Sequence, residues 1–164
     1  MEVGIVNAWI LGVDPGLSGA MAMLNKGAVD VFDIPTTTRT VNKKEKRQID
    51  PYQLSAWLEI QRPLIKFAVV EQVGTMPGQG VTSAFNFGFT TGCIHGIIAA
   101  CGIEIRTVSP QVWKRKYGLI GQNKDASRGE ASRRFPEFTH LWSLKKHDGR
   151  AEAALLALYG SEMT

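Results

Sequence analysis

The sequence predicts an α/β fold in which a mixed, five-stranded sheet is flanked by helices. Three observations lead there. The first 35 residues hold three short apolar runs separated by turn signals, the pattern of an antiparallel meander. Two later apolar runs, 65–73 and 102–108, alternate with helical segments, the pattern of β-α-β crossovers. No internal repeat, low-complexity tract or linker interrupts the 164 residues, so one domain over 1–164 is expected.

The elements follow in order. Residues 8–14 are apolar and end at Asp14, a buried strand. "GAMAMLN" (19–25) and "AVDVFDIP" (28–35) alternate with period two and complete the meander. Residues 36–49 are threonine-rich and basic, a loop or flexible hairpin with no core of its own. "DPYQLSAWLEIQRP" (50–63) starts with Asp50 as N-cap and Pro51 at the first helical position; Leu54, Trp57 and Leu58 give it an apolar face. "IKFAVVEQV" (65–73) is a strand carrying Glu71, followed by the loop "GTMPGQG". Residues 81–101 form a long helix with Gly88, Gly92, Gly96, Ala99 and Ala100 along one side. "GIEIRTV" (102–108) is a strand, and Ser109-Pro110 caps a short helix to Tyr117. A helix over 124–135 and a last one from near Asp148 to about Tyr159 close the series.

Composition bounds the function. Hydrophobic residues make up 44% and charged residues 21%, ordinary values for a globular chain. No apolar run reaches the ~18–20 residues of a membrane span, and "MEVGIVNAWI" lacks the character of a signal or transit peptide. An intracellular protein without a membrane partner is expected. Cys93 and Cys101 are eight apart in one helix. That separation is ~12 Å, beyond the ~7 Å limit of a disulfide, so both are expected to be buried thiols.

Net charge is +4, gathered in "TRTVNKKEKRQ" (38–48), "WKRKYG" (113–118), "SRRFP" (132–136) and "LKKHDGR" (144–150). Such clusters suit either a solvated face or a polyanion partner.

Four carboxylates carry the chemistry. Asp14 ends the first strand inside "GVDPGLSG", where Asp-Pro-Gly by itself signals a turn. Glu71 closes the apolar run "FAVVE", where a charge is disfavoured. Asp148 and Glu152 are four apart at the head of the last helix and share a face; Asp148 alone reads as an N-cap. Parallel neighbouring strands would bring Asp14 and Glu71 together, and a helix crossing them could add the other pair. Acids that close repel, which favours protonation or a cation between them. A hard-oxygen set without a Cys or His framework suits Mg²⁺ or Mn²⁺. Two such ions serve in-line attack of water on a phosphodiester.

Five segments, "ILGVDPGLSGAMAML", "VVEQVGTMPGQGVTSAFNFG", "TVSPQVWKRKYGL", "KDASRGEASRRFP" and "KKHDGRAEAALLALYG", together resemble the RuvC superfamily of Holliday-junction resolvases. The likeness is to phage RuvC-like enzymes and the plant chloroplast resolvase. It spans most of residues 9–160, with the motifs in the family's order. The resemblance implies an RNase H-like fold and a Mg²⁺-dependent endonuclease in which Mn²⁺ can substitute. It also implies a homodimer that nicks a four-way DNA junction in two strands of like polarity. Asp14 matches the first-strand aspartate, Glu71 the central glutamate and Glu152 the acid of the last helix. Asp148 sits where that helix carries a further acid or a histidine; spacing of four rather than three leaves Asp148 and His147 as alternatives. Lys124 matches a catalytic lysine of the chloroplast-like branch. In the segment after Glu71, Met76, Phe85 and Phe87 are candidates for wedging or stacking against bases, with core packing the alternative. Lys114, Arg115, Lys116, Lys145 and Lys146 are candidate phosphate contacts. Another nuclease of the same fold, RNA-processing or acting on branched DNA, and a non-catalytic junction binder are the competing readings.

Overall fold

A computed structural model describes residues 8–163, so the reading of the first seven residues lies outside it. Strands β1 (Trp9–Asp14), β2 (Ala20–Asn25) and β3 (Ala28–Asp33) form the meander, joined on the far side of β1 by β6 (Ile65–Glu71) and β7 (Ile105–Val108). The sheet order is β3-β2-β1-β6-β7. β1 is antiparallel to β2 and parallel to β6, and β6 is parallel to β7. The expected mixed five-stranded sheet is therefore present. Helix α1 (Pro51–Gln61) precedes β6, and α2 (Val81–Ala100) links β6 to β7. Then come α3 (Pro110–Lys116), α4 (Asp125–Arg134) and α5 (Asp148–Glu162).

β1 and β6 are apolar through their middles because both their faces are covered there. Leu11, Val13, Ala68 and Val70 face one core with Leu54 and Leu58 of α1 and Ile94 and Ile98 of α2. Ile10, Phe67 and Val69 face the other, with Ala153, Ala154, Leu155, Leu156 and Ala157 of α5. Alternation along a strand then fixes where the acids point. Asp14 follows Ile10 and Gly12 onto the α5 side, and Glu71 follows Phe67 and Val69 onto the same side. Val13 pairs with Val70 in register, one residue before both acids.

α5 lies unusually close to the sheet because its inner face is alanine and glycine. A Cβ placed on Gly12 of β1 would stand 2.0 Å from the carbonyl oxygen of Ala153. A Cβ on Gly149 would stand 2.8 Å from that of Ser18 and 3.0 Å from Oδ2 of Asp14. These two glycines let the head of α5 seat against the turn after Asp14.

The expected Asp50 cap is present, while other local expectations are corrected. The Asp50 carboxylate accepts from the amides of Tyr52 and Gln53, both at 3.1 Å. Ser109 stands before α3, but its hydroxyl makes no capping bond. Cys93 and Cys101 are unbonded and only half-buried, more open than expected. The segment 36–49 is an ordered two-stranded ribbon, β4 (Thr36–Val41) with β5 (Lys44–Ile49). The alternation of polar residues there carries no buried face, so periodicity could not separate strand from loop. Residues 136–142 form a 3₁₀ helix that buries Trp142, whose indole donates to Ser132 Oγ at 3.0 Å.

Gly12→Ala is expected to lower stability by about 3 kcal/mol, the upper end of overpacking costs, because the obstacle is backbone. Gly129→Ala, inside α4 with nothing within 4 Å of its added Cβ, is expected to raise stability by about 1 kcal/mol. Guanidinium unfolding midpoints check both; equal shifts for the two variants would contradict the close seating of α5.

Candidate active site

Asp14, Glu71 and Glu152 meet at the C-terminal ends of β1 and β6, under the first turns of α5. One carboxylate oxygen from each lies within 4.8 Å of the other two. Asp14 and Glu152 open into a cleft of about 620 Å³, also lined by Lys114, Lys124 and Asp148. Glu71 is only 9% exposed and sits deeper.

Two of the three acids have side-chain partners. The Trp113 indole N–H donates to Oε2 of Glu71 at 2.7 Å. The hydroxyl of the buried Ser127, from α4, donates to Oε1 of Glu152 at 2.9 Å, and Lys114 Nζ stands 3.2 Å from the same oxygen. Asp14 has neither kind of partner among the described residues. Burial, then the charges of Glu152 and Glu71, push its carboxyl well above the usual range, against a smaller opposing effect of Lys114. Burial also raises Glu71, only partly countered by the Trp113 hydrogen bond. Three acids thus share one close ammonium. An all-oxygen donor set with unmet negative charge fits a hard divalent cation.

The fourth predicted acid is placed differently. Asp148 lines the cleft, but its Oδ1 accepts from Arg128 Nε at 2.7 Å, and the same guanidinium reaches Asp125. Arg128 occupies the carboxylate, so Asp148 stays outside the group of three. His147, the other residue considered at this position, is also apart from the group of three. It does not line the cleft, and its buried Nδ1 has no hydrogen-bond partner among the described residues.

Lys124 stands at the cleft wall just before α4. Phe87 also lines the cleft, while Met76 and Phe85 are 73% and 70% exposed. None of the three belongs to either core cluster. Lys114 is turned inward to Glu152 rather than outward. Lys116 is bound to Glu162 at 2.6 Å, fourteen residues and so ~21 Å along α5 from Asp148; Arg115 is exposed. Lys145 and Lys146 are exposed in the turn that leads into α5.

Trp113, Ser127 and Arg128 were not legible as site residues. The one available signal was a tryptophan inside the basic stretch "VWKRK", an apolar ring with a single donor that must find a partner when buried.

The pKa shifts set a direction for stability. Asp14 and Glu71 have folded-state values above their unfolded ones. Their contribution is therefore fully present at low pH and is lost as pH rises through the raised values. Without metal, Asp14→Asn is expected to raise the melting temperature at pH 8 by about 2–4 °C, the shift that ~1 kcal/mol gives in a chain of this size. The gain should vanish by pH 4, where Asp14 is protonated. A scanning-calorimetry series that found the variant less stable at pH 8 would contradict the crowding.

No family model matches the chain. The chloroplastic Holliday junction resolvase MOC1 of Chlamydomonas reinhardtii is 32% identical over 99 residues, which are 60% of this chain and 11% of that protein. The chain therefore spans about a tenth of that relative's length. Thermus thermophilus RuvC in complex with a Holliday junction substrate superposes with a TM-score of 0.56 at 11% identity, over 95% of this chain and 96% of that one. RuvC of the same organism in a second structure gives 0.53 at 14% identity, over 94% and 96%. No helix among the described residues is long and apolar enough to cross a membrane. The chain is similar in sequence to a stretch of a chloroplast junction resolvase, and its fold is the RNase H-like fold of RuvC.

Proposed function

We propose that the chain is a structure-selective endonuclease that resolves four-way DNA junctions by paired, metal-dependent nicks. The observation that carries this reading is the meeting of Asp14, Glu71 and Glu152 within 4.8 Å at an open cleft, on a sheet of the RuvC kind. These three carboxylates would hold Mg²⁺, with Mn²⁺ able to substitute. Bound there, a divalent ion would supply activation of water and stabilisation of the leaving oxygen of a phosphodiester.

The chain's own groups have distinct tasks. Trp113 fixes the Glu71 carboxylate, and Ser127 fixes that of Glu152. Lys114 holds the charge of Glu152 in check before substrate arrives. Lys124, on the cleft wall, stabilises charge at the scissile phosphate or protonates the leaving oxygen. Asp148, clamped by Arg128, keeps the head of α5 in place. Arg115, Lys145 and Lys146 are free to meet phosphates, and Met76 and Phe85 to meet exposed base edges or faces.

Paired nicks need two sites related by a two-fold axis, so the active form is a homodimer. The open face of α2, where nothing approaches Gly88, Gly92 or Gly96 within 4 Å of an added Cβ, leaves room for a second copy. A monomer by sedimentation, with full activity, would contradict this.

The direct test is a labelled synthetic four-way junction incubated with and without Mg²⁺, beside linear duplex and an RNA–DNA hybrid. Symmetric nicks in the junction alone, only with Mg²⁺, are expected. Preferential cutting of the hybrid would point to an RNA-processing nuclease, and binding without cutting to a junction binder.

Asp14→Asn, Glu71→Gln and Glu152→Gln are each expected to abolish nicking while junction binding persists. Lys124→Ala should slow single-turnover nicking by roughly 10²-fold, with Lys124→Arg a poor rescue because charge is kept without geometry. A loss below threefold for alanine would make Lys124 an ordinary surface residue.

A further inference from the structure

The basic ribbon of β4 and β5 has no part in the site described so far. Residues 36–49 hold Arg39, Lys43, Lys44, Lys46 and Arg47 against the single acid Glu45. Their formal charge of +4 equals that of the whole chain, so the remaining residues are neutral in sum. All six of these side chains are exposed.

The register sorts the charges by face. Residues directly opposite each other in an antiparallel pair share a face. Arg39 opposes Lys46, and Val41 opposes Lys44, so Arg39, Lys44 and Lys46 stand together with no acid among them. Glu45 opposes Thr40 on the other face, the side of Arg47. None of Arg39, Lys44 and Lys46 has an ion-pair partner among the described residues. Like charges directly opposite destabilise a ribbon. Scattered lysines suffice to protect a sheet edge, and that need does not explain cations set face to face. The turn repeats the cost. Asn42 and Lys43 take φ values of 50° and 60°, the geometry of a two-residue type I′ hairpin, whose second position favours glycine. Here it carries a lysine.

The ribbon's position gives these charges a use. Its base is rigid: Ile49 is buried, and the Asp50 amide donates to Pro35 at 2.8 Å. Arg47 Nη2 donates to Oγ of Ser18 at 2.7 Å, and Ser18 lines the acidic cleft. A groove with Arg39, Lys46 and Gln48 on one wall and Phe85 and Phe89 on the other runs from there. Leu17, Asn86 and Thr90 line both the groove and the cleft, so the two are continuous. Six residues of strand extend ~20 Å, the length of about six base pairs at ~3.4 Å each.

We propose that the 36–49 ribbon is a phosphate-binding arm that grips a double-helical arm of the DNA substrate beside the acidic cleft, through Arg39, Lys44 and Lys46. This rests on the nuclease reading above. The arm contributes affinity and placement, not chemistry.

The test uses the full chain with all three cations neutralised, Arg39→Gln, Lys44→Gln and Lys46→Gln together. Anisotropy of a labelled four-way junction is followed across a salt series, and single-turnover nicking is measured at saturating junction. Affinity at low salt should fall at least tenfold. The slope of log affinity on log salt should become less negative by about 2–3, one phosphate contact per lost cation. The rate at saturation should stay within about twofold of the parent. A charge-keeping set, Arg39→Lys, Lys44→Arg and Lys46→Arg, should retain affinity. Lys26→Gln with Lys66→Gln, cations in a separate cleft, should change affinity less than threefold. Parent-like affinity and slope in the neutralised variant, with the parent bound, would overturn the ribbon proposal alone. So would an equal loss in the Lys26 and Lys66 control. Failure of the parent itself to bind any junction would overturn both this proposal and the nuclease reading.

Discussion

Three carboxylates held within 4.8 Å of each other, at the ends of two buried strands, are the constraint on which this structure turns. At an effective dielectric of ~20, each fully ionised pair at that distance repels by on the order of 3 kcal/mol. A folded chain of this size is stable by only about 5–15 kcal/mol in total. The cluster can exist only if something offsets the charge. Burial and the neighbouring acids push the carboxyls of Asp14 and Glu71 toward their protonated forms. Lys114 offsets the charge of Glu152. A divalent cation would replace all three devices at once, and a site built this way favours one strongly.

The fold makes the crowding unavoidable. Alternation along β1 and β6 sends Asp14 and Glu71 to the α5 face, and their register sets them side by side. The glycine and alanine faces of β1 and α5 bring Glu152 down onto them. Larger side chains at Gly12 or Gly149 would lift α5 and relax the cluster. The same packing that makes the core dense thus keeps the acids strained, which is the expected exchange of stability for function.

Much of this was legible from the residues. The strands showed through their apolar runs, and Glu71 stood out as a charge at the end of "FAVVE". Spacing alone placed Asp148 and Glu152 on one face of α5, yet it could not say that Arg128, twenty residues earlier, claims Asp148. Nor could it show that Trp113 and Ser127 turn inward to hold the acids, since both act through packing between distant elements. Loop and hairpin stayed open for 36–49 because its side chains are nearly all exposed, and the 3₁₀ helix at 136–142 escaped because it lacks a 3.6-residue period. Lys114 and Lys116 look alike in "WKRK" but go to opposite ends of α5, one to Glu152 and one to Glu162.

The three acids are arranged to form one cation site. Anomalous diffraction from crystals of the chain soaked in Mn²⁺ tests it without reference to any substrate. An anomalous peak is expected within coordination distance of Asp14, Glu71 and Glu152, with Lys114 withdrawn from Glu152. Mn²⁺ bound at Asp148 and Asp125 instead, with the triad unchanged and Lys114 still on Glu152, would contradict it.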